Sequence, residues 1–113
     1  MMDSEGGPMI ARIWHGVTAA AKSEEYLDYL NETGVPDYRA TEGNRGVYVM
    51  RRVESDRAHF LTLSFWNSID DVKRFAGPDP ERAKYYPVDE EFLLDFEPTV
   101  GHYEVVVEPP SEA

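Results

Sequence analysis

The 113-residue chain has no cysteine. That excludes a disulfide framework, a thiolate metal site and a cysteine nucleophile. Positive charge is scarce: 11 Lys and Arg stand against 22 Asp and Glu, for a net charge of −11. Nucleic acids and anionic membranes need basic patches, so neither is an expected partner. No apolar run approaches the roughly 20 residues of a membrane-spanning helix. The opening MMDSEGGP lacks the basic region and apolar core of a signal peptide, so a cytoplasmic setting is expected. Only three histidines occur, His15, His59 and His102, with no His-x-His or His-x3-His spacing, so no metal site is expected. Phosphate loops, G-x-G-x-x-G and G-x-S-x-G are also missing, which leaves phosphate cradling and serine nucleophiles without support.

The most informative stretch is His59 to Phe75, HFLTLSFWNSIDDVKRF. Up to Trp66 it alternates as a strand does. Leu61, Leu63 and Phe65 form a wholly apolar face that demands burial. Phe60, Thr62, Ser64 and Trp66 form the other face. Beyond Trp66 the period changes to helical, with Ile69, Val72, Phe75 and Ala76 in line. Ser68 reads as the N-cap, Asp70 and Asp71 as acids in the first turn, and Gly77-Pro78 as the stop.

The rest of the chain fits around this strand-to-helix corner. Met9 to Thr18 reads as a first strand covered on both faces. Arg12 and Trp14 lie side by side on one of those faces, about 7 Å apart. Arg12 reads either as a surface ion pair or as an anchor for an anionic or planar ligand. A helix capped near Ser23-Glu24-Glu25 carries Tyr26, Leu27, Tyr29, Leu30 and Thr33 in a stripe. Gly34 and Pro36 end or bend it, with a short continuation that brings Tyr38 inward. Gly46 to Glu54 is a second strand, paired in a hairpin with the third across Ser55-Asp56-Arg57. The stretch from Gly77 to Pro98 reads as a long loop with helical turns at Pro80–Lys84 and Val88–Leu94, the second with Asp89 as cap. Tyr85 and Tyr86 lie in its middle. Loops of this length in small domains often carry function. Thr99 to Val107 is the last strand.

The order is βαββαβ, so the expected fold is α+β and ferredoxin-like, a four-stranded antiparallel sheet with helices on one face. The expected domain spans residues 9–107, with flexible tails at 1–8 and 108–113. The other sheet face, apolar through Leu61, Leu63 and Phe65, needs a partner, and a homodimer packed sheet on sheet satisfies it. His15 and His102 fall on the first and fourth strands, read as opposite sheet edges. His59, at a strand start, reads as exposed. Each histidine is a possible acid–base group, since histidine titrates near neutrality.

The LTLSFWNSIDDVKRF corner and the GVYVMRR strand before it, with IARIWHG and EPTVGHYEV at the ends, resemble the antibiotic biosynthesis monooxygenase superfamily of dimeric α+β barrels. The resemblance covers residues 9–107. It implies a small cavity between sheet and helices in which an electron-rich phenol or quinol, once deprotonated, reacts with dioxygen without a cofactor. Trp66 matches the family tryptophan at the end of the third strand. In haem-degrading members that tryptophan works beside an Asn and a His. Here Trp14 or His15 stands where the Asn is expected, and Gly77-Pro78 near the place of the His, so haem degradation is not expected. On this reading Trp66, Tyr86 and His15 are the candidate catalytic residues. Arg12, Trp14, Tyr85, Phe60, Ser64 and His102 are the candidate substrate contacts. The expected function is a cofactor-independent monooxygenase acting on a small aromatic or quinol-type substrate. The alternative is a non-catalytic small-molecule-binding or dimerisation domain on the same fold. Polar groups converging in a closed pocket favour the enzyme; a pocket filled by Trp14, Trp66 and Tyr86 favours the alternative.

Overall fold

The computed structural model describes residues 8–109. Most of both tails, residues 1–7 and 110–113, lies outside the described residues. Four strands, β1 (Ile10–Ala19), β2 (Asn44–Glu54), β3 (Arg57–Trp66) and β4 (Gly101–Glu104), form one antiparallel sheet in the order β2-β3-β1-β4. Helices α1 (Ser23–Glu32), α2 (Gly34–Ala40), α3 (Ile69–Ala76) and α4 (Asp89–Phe92) complete the α+β, ferredoxin-like arrangement.

The two strands richest in large apolar residues on both faces, β1 and β3, take the centre of the sheet. Their register sets the two faces. Arg12 lies opposite Ser64, Trp14 opposite Thr62 and Gly16 opposite Phe60, all on the helix side. Ile13 lies opposite Leu63 and His15 opposite Leu61 on the other side. On the helix side, Trp14, Tyr26, Leu30, Ala58, Phe60 and Leu93 make one core cluster, and Tyr38, Trp66, Val72 and Phe75 a second. Full burial of a large apolar side chain contributes about 1.5–3 kcal/mol, so Phe60 and Val72, both wholly buried, rank among the main stabilising residues. On the opposite side Tyr48, Met50, Leu61 and Tyr103 remain exposed.

The corner after Trp66 forms as its residues dictate. Ser68 has extended backbone, and its Oγ accepts the Asp71 N–H at 3.2 Å. Gly77, at φ 99°, ends α3 and donates its N–H to the Lys73 carbonyl. That backbone conformation costs glycine little and most other residues much.

Four local expectations differ from the structure. Ser23 is the first residue of α1, not its cap, and its hydroxyl accepts a hydrogen bond from Arg51 Nη1 at 3.3 Å. Pro80–Lys84 is not helical: Pro80 and Glu81 make a turn closed by the Arg82 N–H on the Asp79 carbonyl, and around it Ala83 donates its N–H to the Pro98 carbonyl and Val100 donates its own to Glu81. Those bonds draw Thr99 and Val100 away, and β4 shrinks to four residues. Asp89 lies inside α4, with Val88 as its N-cap. Finally, β1 is central and adjacent to β4, so His15 and His102 do not lie on opposite edges. They are separated by facing opposite sides of the sheet.

The Ser68→Ala variant is expected to lose about 1 kcal/mol of stability through the missing cap. Urea denaturation measures this, and an unchanged midpoint would show that the cap contributes nothing.

Candidate functional site

Between sheet and helices, most of the candidate residues converge. Alternation along β1 and β3 aims Arg12, Trp14, Phe60, Thr62, Ser64 and Trp66 under the helices. Trp14 lies flat over Gly16, where any Cβ would collide with the indole. Its ring meets Tyr85 edge-on at 6.3 Å between centroids. Trp66 is fully buried between Tyr38 and Phe75, and its indole N–H donates to Ser64 Oγ at 3.0 Å. Both Trp66 and Ser64 thus spend their polar atoms on each other.

Arg12 is 1% exposed and forms no ion pair among the described residues. Its guanidinium lies near the Phe75 ring and donates to the carbonyls of Pro80 and Arg82, each at 3.2 Å. Burial holds its pKa below the usual arginine value. These two bonds fasten the loop after α3 to the sheet. Next along that loop, Lys84 Nζ and Tyr86 OH both donate to Asp37 Oδ2, at 2.9 and 2.6 Å. Farther on, Asp89 accepts the Tyr26 hydroxyl at 3.1 Å and the Tyr86 N–H at 2.6 Å. Tyr85 donates its hydroxyl to the Glu97 carbonyl.

The cavity left among Trp14, Tyr38, Thr62, Phe75, Tyr86 and Asp89 measures about 30 Å³. That volume admits about one water, whereas small-molecule pockets usually run to about 300–1,000 Å³. Tyr86 and Tyr26 each donate their hydroxyl hydrogen to a carboxylate. Burial pushes Tyr38 up to about 12. Tyr86 is raised by burial and by Asp37, and Tyr26 by burial and by Asp89. A raised phenol pKa keeps each proton on oxygen at neutral pH. Asp37 is drawn the other way. Burial works against its charge, but hydrogen bonds from Tyr86 and Lys84, with the lysine charge, hold its pKa below 3.8. Among the described residues, Arg12 Nε, the indole N–H of Trp14 and Nε2 of His102 are buried without hydrogen-bond partners. His102 is depressed by burial and by Arg12.

His15 alone among the candidates faces the open side of the sheet. There its ring lies beside His59, with Nε2 3.2 Å from His59 Nδ1. His59 is half-buried rather than exposed. Two shallow spaces indent this face. One of about 350 Å³ lies beside His15, Met50, His59 and Leu61; one of about 590 Å³ lies beside Met9, Tyr48, Phe65 and Val105. Sequence reasoning did not single out Asp37 or Lys84, which left no local signal, being 47 residues apart. The pairing of His15 with His59 was recoverable only from strand register.

Replacement of Asp37 by Asn is expected to lower stability at pH 7, where the carboxylate holds Tyr86 and Lys84. A depressed carboxyl pKa stabilises above the unfolded value of 3.8, and that stabilisation fades as pH falls through the lower folded value. The gap between variant and parent should therefore narrow in acid. Denaturation curves at neutral and acid pH test this; a constant gap would contradict it.

No family model matches the chain, and no curated protein matches it. Solved structures do. A conserved protein from Methanosarcina mazei Go1 superposes with a TM-score of 0.65 at 16% identity, covering 88% of this chain and 94% of that one. A candidate antibiotic biosynthesis monooxygenase from Bacillus cereus superposes with a TM-score of 0.62 at 15% identity, covering 93% of this chain and 100% of that one. At this identity the likeness establishes architecture: the chain has the ferredoxin-like fold found in that monooxygenase-like protein.

Proposed function

We propose that this chain is a dimer-forming, small-molecule-binding domain that is non-catalytic on its helix side. The observation that carries this reading is the 30 Å³ left between sheet and helices, where Trp14, Tyr38 and Tyr86 occupy the room a substrate needs. The apolar opposite face supports the second half. Tyr48, Met50, Leu61 and Tyr103 are exposed there, together with the two ligand-sized spaces. Two sheets packed face to face stand about 10 Å apart, so a second copy would enclose both spaces. Sedimentation equilibrium is expected to give a dimer for the parent and a monomer for Leu61→Glu combined with Tyr48→Glu. A parent that sediments as a monomer would end this reading.

A second reading, a cofactor-independent monooxygenase of a phenol or quinol, draws on the fold shared with the Bacillus cereus protein. It also draws on the unpartnered Trp14 N–H beside Tyr86. For it to operate, the loop carrying Tyr85 and Tyr86 must leave the sheet to admit substrate. The substrate would supply the electrons, and the protein a dry, oriented cavity. Dioxygen uptake over phenols, quinols and anthrones separates the two readings. The lead reading expects no uptake above the buffer rate. Uptake that falls at least tenfold in both Trp66→Phe and Tyr86→Phe would favour the oxygenase instead.

A further inference from the structure

His15 and His59 stand on neighbouring central strands, diagonal to each other across the register, and both project from the open face. Their ring planes differ by 7°, with centroids 5.4 Å apart. With the facing nitrogens 3.2 Å apart, the rings meet edge to edge. A carboxylate is bonded to one outer nitrogen, and another lies near the second but beyond hydrogen-bond distance. His15 Nδ1 lies 2.5 Å from Glu97 Oε2, and His59 Nε2 lies 3.6 Å from Glu54 Oε1.

This arrangement constrains the hydrogens. Glu97 as a carboxylate can only accept, so His15 Nδ1 carries the hydrogen and the neutral ring leaves Nε2 bare. His59 Nδ1 either carries the hydrogen that bonds it to His15 Nε2 at 3.2 Å or, with its hydrogen moved to Nε2, presents a second lone pair that a cation can share. Two nitrogens bound to one tetrahedral zinc at about 2.0–2.1 Å stand about 3.3–3.4 Å apart, close to the spacing the fold sets. The Glu97 carboxylate on the outer nitrogen of His15 is the support that metal-binding imidazoles usually have. A swing about χ2, a soft torsion in histidine, would converge the lone pairs on one point. The adjoining space of about 350 Å³ has room for water ligands.

We propose that His15 and His59 form a two-histidine site for a late first-row divalent metal, the class that imidazole prefers. Among the described residues no three ligating side chains converge, so water supplies the other positions. The nearby cations are already engaged: Arg52 pairs with Glu54 at 3.4 Å, and Arg51 with Glu24 at 2.7 Å. The site requires neither a second copy nor catalysis, so it stands apart from both readings above.

Calorimetric titration of the full chain with Zn²⁺ tests it. One ion per chain is expected. His15→Gln and His59→Gln should each weaken binding at least tenfold, Glu97→Gln about tenfold through lost support, and His102→Gln not at all. Electron paramagnetic resonance of the Cu²⁺-loaded parent needs no variant, and it should report coupling to two imidazole nitrogens. Absence of zinc binding, retention of binding in the double histidine variant, or a copper spectrum free of nitrogen coupling would each overturn the proposal.

Discussion

A single buried cation organises the helix side of this protein. The Arg12 guanidinium lies inside the core with carbonyl oxygens and an aromatic face for company, and no carboxylate among its hydrogen-bond partners. Burying a charge is costly unless its donors are satisfied. Two of them take the Pro80 and Arg82 carbonyls, which requires a loop laid on the sheet, while Nε has no partner among the described residues. Everything downstream follows from that placement. Lys84 and Tyr86 are delivered to Asp37, Asp89 to Tyr26, and Tyr85 to the edge of Trp14. The loop and the arginine are therefore one unit, and the size of the cavity is set by their bond rather than by the strands.

Many polar groups around that cavity are paired, Trp66 with Ser64, Tyr86 and Lys84 with Asp37, and Tyr26 with Asp89, while the Trp14 N–H is left over. Paired groups of this kind specify one packing of a core. The tyrosines among them keep their protons, so none is positioned to act as a base at neutral pH. The opposite face is different in kind. Its apolar residues are solvent-accessible, and its two histidines lie where a ligand can reach them.

The strand-to-helix corner was legible because two periodicities meet at Trp66 with a capping serine just beyond. The face assignment of Phe60, Thr62, Ser64 and Trp66 was legible for the same reason, since alternation needs no tertiary information. The loop from Gly77 to Pro98 was not. Pro80 reads locally as a helix start, but bonds between Ala83 and Pro98 and between Val100 and Glu81 override that preference. Asp37 meets Tyr86 across 49 residues, and nothing near either one announces the other. Arg12 left two readings open, ion pair or ligand anchor, and the structure replaces the ion pair with bonds to two backbone carbonyls. Its partners are backbone atoms, which carry no side-chain identity to be read.

The register slip between Asn44 and Gly46 adds a bulge at the start of β2, the long outer strand. Arg45, Arg51 and Arg52 follow it along the same strand. An outer strand of 11 residues is otherwise an invitation to a stray strand from another molecule. A kinked beginning and repeated cationic side chains make that addition unfavourable. The opposite border is guarded by other means. Beyond the short β4, Thr18 bridges to Leu93, and Leu94 donates its N–H to the Val17 carbonyl. Both borders of the sheet thus disfavour the addition of a further strand.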